Sequence, residues 1–267
     1  MYTQYYSLKE RPFNVTSDPS FFFLSTSHKE ALAALIYGIK ERKGILCLTG
    51  EVGTGKTTIC KALVKQLDES VKSAFILNPD FSNLQLIGLI LSDFGINAKK
   101  KDKLSMINEL NKFLLNLAKE NKNAVLIVDE SQNLKPKQLE QIRLLSNLET
   151  EKQKLLQIVL VGQPELTEKL NLTSLRQLDQ RIMVHYDVKP LEKVDVAAYI
   201  HHRLKKAGCL SNVEFDDMSI NEIFNYSFGI PRVINIICDL ALLAGFVRDT
   251  KKISAEIIKE VYNEFKK

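Results

Sequence analysis

Apolar residues along this chain follow two alternating rhythms up to about residue 190 and one rhythm after it. Ala31, Leu32, Leu35, Ile36 and Ile39 recur at helical spacing and predict a helix over residues 28–39. A continuous run, Ile45-Leu46-Cys47-Leu48, follows and predicts a strand. The pattern then repeats. A helix runs to about Leu67, and a short strand, Ala74-Phe75-Ile76-Leu77, is stopped by Asn78-Pro79. Helices are predicted over 84–94 and 104–117, the second with Ile107, Leu110, Leu114 and Leu117 on one face. A third strand, residues 124–128, ends in two acids. Pro136 opens a helix carrying Leu139, Ile142, Leu145 and Leu148. Residues 155–161 are a fourth strand, halted at Gly162-Gln163-Pro164, and the alternating residues 182–188 are a fifth. Beyond Pro190 nothing reads as a strand. Helices are predicted over 197–207, 220–227, 233–244 and 255–265, with breaks at Gly208, Gly229-Ile230-Pro231 and Asp249.

Strands alternating with helices imply an α/β fold, an open five-stranded parallel sheet sandwiched by helices. The expected organisation is an αβα domain over residues 1–190 and a small C-terminal all-helical lid over residues 191–267. Residues 1–27, with Pro12 and Pro19 among aromatics, form an irregular N-terminal strap. An apolar content of 45% is ample for a core, and no apolar stretch nears the ~18 residues of a bilayer span. The first residues, Met1-Tyr2-Thr3-Gln4-Tyr5-Tyr6, lack the basic and apolar regions of a signal peptide. Cys47, Cys60, Cys209 and Cys238 stand singly in apolar patterns and read as reduced, buried thiols of a cytoplasmic protein. Charge is uneven. Residues 1–190 hold 26 Lys/Arg against 21 Asp/Glu, whereas residues 191–267 hold 11 of each. The densest cluster, Lys99-Lys100-Lys101-Asp102-Lys103, reads as a solvated loop, with a nucleic-acid contact as the other reading.

The chemistry concentrates after the first strand. Gly50-Glu51-Val52-Gly53-Thr54-Gly55-Lys56-Thr57 is a complete GxxxxGK[ST] phosphate-binding loop, and Thr58 continues into a helical pattern. Glycines let backbone N–H groups close around an anion, and the helix N-terminus adds its positive end. Lys56 is expected to reach the β- and γ-phosphates of ATP, and the Thr57 hydroxyl to ligate Mg²⁺. The third strand supplies the second element, Asp129 and Glu130. Asp129 is expected to hold the Mg²⁺, and Glu130 to orient and deprotonate an attacking water. The pair argues for hydrolysis as well as binding.

Further strings resemble one branch of the AAA+ ATPases, the ATPase domain of general secretion pathway protein A (the ExeA-like family). They include Phe13 with Asp18-Pro19-Ser20-Phe21-Phe22-Phe23-Leu24, Val128-Asp129-Glu130-Ser131-Gln132-Asn133-Leu134, residues 143–150, residues 157–166, and Gly229-Ile230-Pro231-Arg232-Val233-Ile234-Asn235. The resemblance covers nearly the whole chain in order. It implies a P-loop NTPase core with a helical lid, and it adds roles. Gln163 matches a polar sensor of the γ-phosphate, and Arg232 the arginine of the lid's GxPR motif. Arg181 matches an arginine finger inserted into a neighbouring subunit, with Arg176 as the competing position. The strap around Phe13, with His28 beginning the next helix, is expected near the adenine.

Self-association into a ring or filament follows from this resemblance, as does work on an envelope secretion or pilus apparatus. The expected place is the cytoplasm, with peripheral recruitment to the inner membrane through a partner. Secretion-pathway proteins of this kind continue into a membrane span and a peptidoglycan-binding domain, and this sequence has neither. It reads as a short form, with a fragment as the other reading. A DNA-associated ATPase of the transposition-regulator type is the alternative function, and a nucleotide-gated scaffold with negligible turnover is a third.

Overall fold

The computed structural model describes residues 2–16, 18–77, 79, 81–209 and 213–265. Met1, Asn78 and Lys266-Lys267, on which sequence readings fall, lie outside the described residues. The chain forms two compact units that do not follow linear order. One comprises residues 28–50 and 59–188, the other residues 1–27, 51–58 and 189–267.

The first unit is built on five parallel strands: β1 (Ile45–Gly50), β2 (Val71–Ile76), β3 (Asn123–Val128), β4 (Gln157–Val161) and β5 (Ile182–Val188), in the order β2-β3-β4-β1-β5. The three central strands are buried at every position, which is why they read as unbroken apolar runs. The two edge strands alternate in exposure and read more weakly. β2 begins at Val71, earlier than the apolar run suggests, because an edge strand tolerates Lys72 and Ser73. Among the described residues the longer helices between and beside these strands are α1 (Thr26–Lys40), α2 (Lys56–Gln66), α3 (Asn83–Asp93), α4 (Lys103–Lys119), α5 (Pro136–Leu145) and α6 (Pro164–Leu170). The α3 start is a reciprocal cap. Ser82 Oγ accepts from the Gln85 N–H at 3.3 Å while Gln85 Oε1 accepts from the Ser82 N–H at 2.9 Å. On α4 the buried stripe is Met106, Leu110, Leu114 and Leu117, with Ile107 only partly covered.

Four helices dominate the second unit: α7 (Lys193–Lys206), α8 (Asp217–Ser227), α9 (Pro231–Val247) and α10 (Ala255–Phe265). This unit also carries a strand pair that the periodicity does not announce. Glu214–Phe215 pairs in parallel with Lys252–Ile253, and two residues are too short to display an alternation. The N-terminal strap belongs to the core of this unit. Tyr6, Phe13 and Phe21 are buried with Ile200, Ile234 and Leu242. Arg203, on α7, is 93% buried and fixes the strap, since it is 7% exposed and donates from Nε to the Pro12 carbonyl at 2.6 Å and from Nη2 to that of Asn14 at 3.0 Å.

Candidate functional site

β1 delivers the chain to the phosphate loop at Gly50, and α2 begins at Lys56. Within the loop the Glu51 carbonyl accepts from three donors: Thr54 Oγ1 at 2.8 Å, the Thr54 N–H at 3.3 Å and Lys56 Nζ at 2.9 Å. Lys56 is buried, so its ammonium is held against the loop and kept from bulk water. Gly53 has φ +84°, and a Cβ there would stand 2.5 Å from Arg232 Cβ and 3.2 Å from Ile230 Cγ2. Only glycine lets the start of α9 approach so closely. The contact is closed by the Arg232 N–H, which donates to the Gly53 carbonyl at 3.2 Å.

The GxPR string is explained by the same approach. Gly229, at φ +75°, lies against Leu191, where a Cβ would fall 2.0 Å from the Leu191 carbonyl oxygen. Pro231 then opens α9 at a position that needs no N–H, and Arg232 follows with an exposed side chain.

The acid pair lies at the other unit's sheet edge. Val128 pairs with Leu160 of β4, and Leu160 with Cys47 of β1, so the carboxyl ends of the three central strands are level. Asp129 is buried, and its N–H continues the ladder to the Ile76 carbonyl at 2.9 Å. Its Oδ1 accepts from the Glu130 N–H, also at 2.9 Å. Glu130 takes a left-handed conformation, φ 53° and ψ 36°, a strained choice for a non-glycine residue and one that clusters at functional sites. Its Oε2 accepts from Gln163 Nε2 at 3.2 Å and from Gln132 Nε2 at 2.5 Å. The structure thus brings Asp129, Glu130 and Gln163 together.

The chain as a whole is similar to known proteins. The family model for the AAA domain matches residues 39–170. General secretion pathway protein A of Aeromonas hydrophila is 45% identical over 255 residues, which is 95% of this chain and 46% of that protein. Residues 39–170 therefore carry an AAA domain, and the chain is similar along nearly its whole length to general secretion pathway protein A. It spans about half the length of that curated relative. Solved structures share the fold of this AAA domain. The Aeropyrum pernix ORC2 protein, in ADPNP-ADP complexes, superposes with a TM-score of 0.68 at 17% identity over 96% of this chain and 72% of its own. The Thermotoga maritima RuvB Holliday junction branch migration motor does so at 0.56 and 17% identity, over 88% and 67%.

Arg181, just beyond the matched AAA domain, is paired elsewhere than with Asp129, Glu130 or Gln163. Its Nη1 donates to Asn147 Oδ1, and its charge helps hold the Glu140 and Glu149 carboxyls below their ordinary range, behind the larger effects of Arg143 and Lys154 hydrogen bonds. Arg176 is exposed on the short helical turn Arg176–Asp179. Phe13 is fully buried and meets Phe215 edge-on, a core role. All four cysteines are free, and Cys209 is only half-buried, in contrast to the expectation of four buried thiols. Burial pushes the Cys47 thiol up to about 12, which leaves it protonated and inert.

Sequence reading assigned no role to Gln132, yet its amide joins the ends of β3 and β4. Besides donating to Glu130, its Oε1 accepts from the Gln163 N–H at 3.2 Å, and its main-chain carbonyl accepts from Lys169 Nζ. Its one signal was its position two residues after Glu130 in the quoted string. Taken unit by unit, the residue types present are ones that a magnesium nucleotide uses. Positive φ at Gly53 and Gly55 and the buried Lys56 suit a phosphate, and the Thr57 hydroxyl and Asp129 carboxylate are the hard oxygen ligands Mg²⁺ takes. Among the described residues no helix is long and apolar enough to cross a membrane.

Proposed function

We propose that this protein binds Mg²⁺-ATP and hydrolyses it, and that the cycle switches the assembly of an envelope secretion or pilus-type apparatus. The observation that carries the reading is the hydrogen-bonded trio at the strand ends, Glu130 with Gln132 and Gln163, one residue beyond the buried Asp129. A carboxylate held by two amides at the carboxyl edge of a parallel sheet supports the reading of Glu130 as the acceptor of a proton from water.

In this reading residues 50–58 would cradle the phosphates, Lys56 would neutralise the β/γ oxygens, and Thr57 and Asp129 would each supply an oxygen ligand to the metal. The metal, when bound, neutralises charge on the phosphoryl oxygens. Glu130 orients the attacking water and accepts its proton, and Gln163 marks the position of the γ-phosphate. Arg232 couples that phosphate to α9, because its backbone is tied to Gly53 while its side chain is exposed over the loop. Arg181 serves a neighbouring copy, so turnover per chain rises with protein concentration. The 45% identity to general secretion pathway protein A supports the secretion setting, with the chain acting on the cytoplasmic side through a membrane partner.

Phosphate release from Mg²⁺-ATP across a range of protein concentrations tests the reading. Wild type is expected to turn over with a specific activity that climbs with concentration, and Lys56→Ala to lose roughly 10²-fold or more. Undetectable release at every concentration would sink it.

A further inference from the structure

Away from the nucleotide residues, α3 and α4 border an apolar cleft of about 550 Å³, inside the range of ordinary ligand pockets. Leu84, Leu91, Ile96 and Met106 supply its apolar lining. Two glycines open it. A Cβ at Gly88 would meet only Met106 Cε, at an ordinary 3.6 Å, and one at Gly95 would meet nothing within 4 Å. Leu84 remains 42% exposed at this cleft although it sits on a helix with a buried apolar face.

The basic run borders the same cleft. Lys101 lines it, and Lys99, Lys100 and Lys103 beside it in sequence are all exposed. The run sets four lysines against one acid, so it keeps a net positive charge. Asp102 Oδ1 accepts from the Ser105 N–H at 2.9 Å as the cap of α4, and that hydrogen bond holds its carboxyl below the ordinary range. Apolar lining and cationic border are therefore contiguous, a combination that a solvated loop does not require.

We infer that this cleft docks an acidic amphipathic segment of a partner protein, with apolar side chains in the cleft and carboxylates on Lys99–Lys103. Charge complementarity selects an anionic occupant. The apolar interior disfavours DNA, whose phosphates would meet the lysines but leave the cleft unfilled. Ser92 and Asn97, also in the lining, suit a peptide, whose main-chain amides need hydrogen-bond partners, better than an acyl chain, which has none. The cleft shares no residue with the proposed nucleotide site, so this inference stands independently of ATP hydrolysis.

Fluorescence anisotropy on the full chain tests it, with a labelled peptide of Glu and Leu at amphipathic helical spacing as the probe and a Lys/Leu peptide of the same pattern as control. The Glu/Leu peptide is expected to bind at least tenfold more tightly than the Lys/Leu peptide. Gly88→Leu, which fills the cleft, and the surface double variant Lys99→Glu/Lys101→Glu should each weaken it tenfold or more. Equal affinity for both peptides, or undiminished binding by both variants, would overturn the docking site. So would an anionic phospholipid vesicle or a DNA duplex that binds wild type tightly, loses affinity in both variants and displaces the peptide.

Discussion

The main-chain N–H of Arg232 donates to the carbonyl of Gly53 at 3.2 Å, and the Arg232 Cβ occupies the space that a side chain at position 53 would need. The second residue of α9 thus rests on the middle of the phosphate loop. Any movement of the loop backbone is felt by that helix, and the reverse.

Gly53→Ala follows from this contact. The new methyl would have to displace Arg232 at a backbone φ of +84°, a local strain of about 1–3 kcal/mol. Nucleotide affinity, measured by titration of a fluorescent ATP analogue, is expected to fall about tenfold, which is the lower part of that range. The melting temperature should fall with it. Unchanged affinity would mean that the loop does not depend on this close approach.

Gln132→Ala addresses the amide that was not singled out in the sequence. Without it Glu130 keeps only Gln163, and the Gln163 N–H loses its acceptor. As a positioning residue, Gln132 should affect turnover and not substrate capture. The expected outcome is a kcat about tenfold lower or more, with KM for ATP within about twofold of wild type. A rise in KM at constant kcat would assign the residue to binding instead.

The central strands were legible because full burial leaves an unbroken apolar signature, and the acid tip was legible because two carboxylates end such a run. Gln132 was not, since nothing local distinguishes it from a turn residue. Besides Glu130, its partners Gln163 and Lys169 lie at the start of and within α6, 31 and 37 residues on. Arg203 was hidden for the same reason. In His202-Arg203-Leu204-Lys205-Lys206 it resembles a surface cation, and the strap carbonyls that hold it, at Pro12 and Asn14, are far away in sequence. The short helix α6 and the Glu214–Phe215 strand escaped because seven and two residues carry too little pattern.

Arg203→Ala should therefore behave as a core defect. The substitution leaves two strap carbonyls without a donor, removes a guanidinium 5.0 Å from the Phe21 ring, and takes a partner from Tyr199. A loss of about 3 kcal/mol is expected, with a melting temperature roughly 6–12 °C lower by calorimetry. Arg203→Lys should recover little of it, since one ammonium lacks the planar fork that reaches both carbonyls. A shift within the error of a surface substitution would contradict a structural role for the strap.

Removing the proposed general base while keeping the proposed phosphate cradle gives the most direct measurement: bound nucleotide and released phosphate, followed together in Glu130→Gln. The amide keeps the size of the side chain but cannot take a proton from water. The variant should retain ATP at near wild-type affinity and release phosphate at least ~10²-fold more slowly. Phosphate release at the wild-type rate would contradict the account.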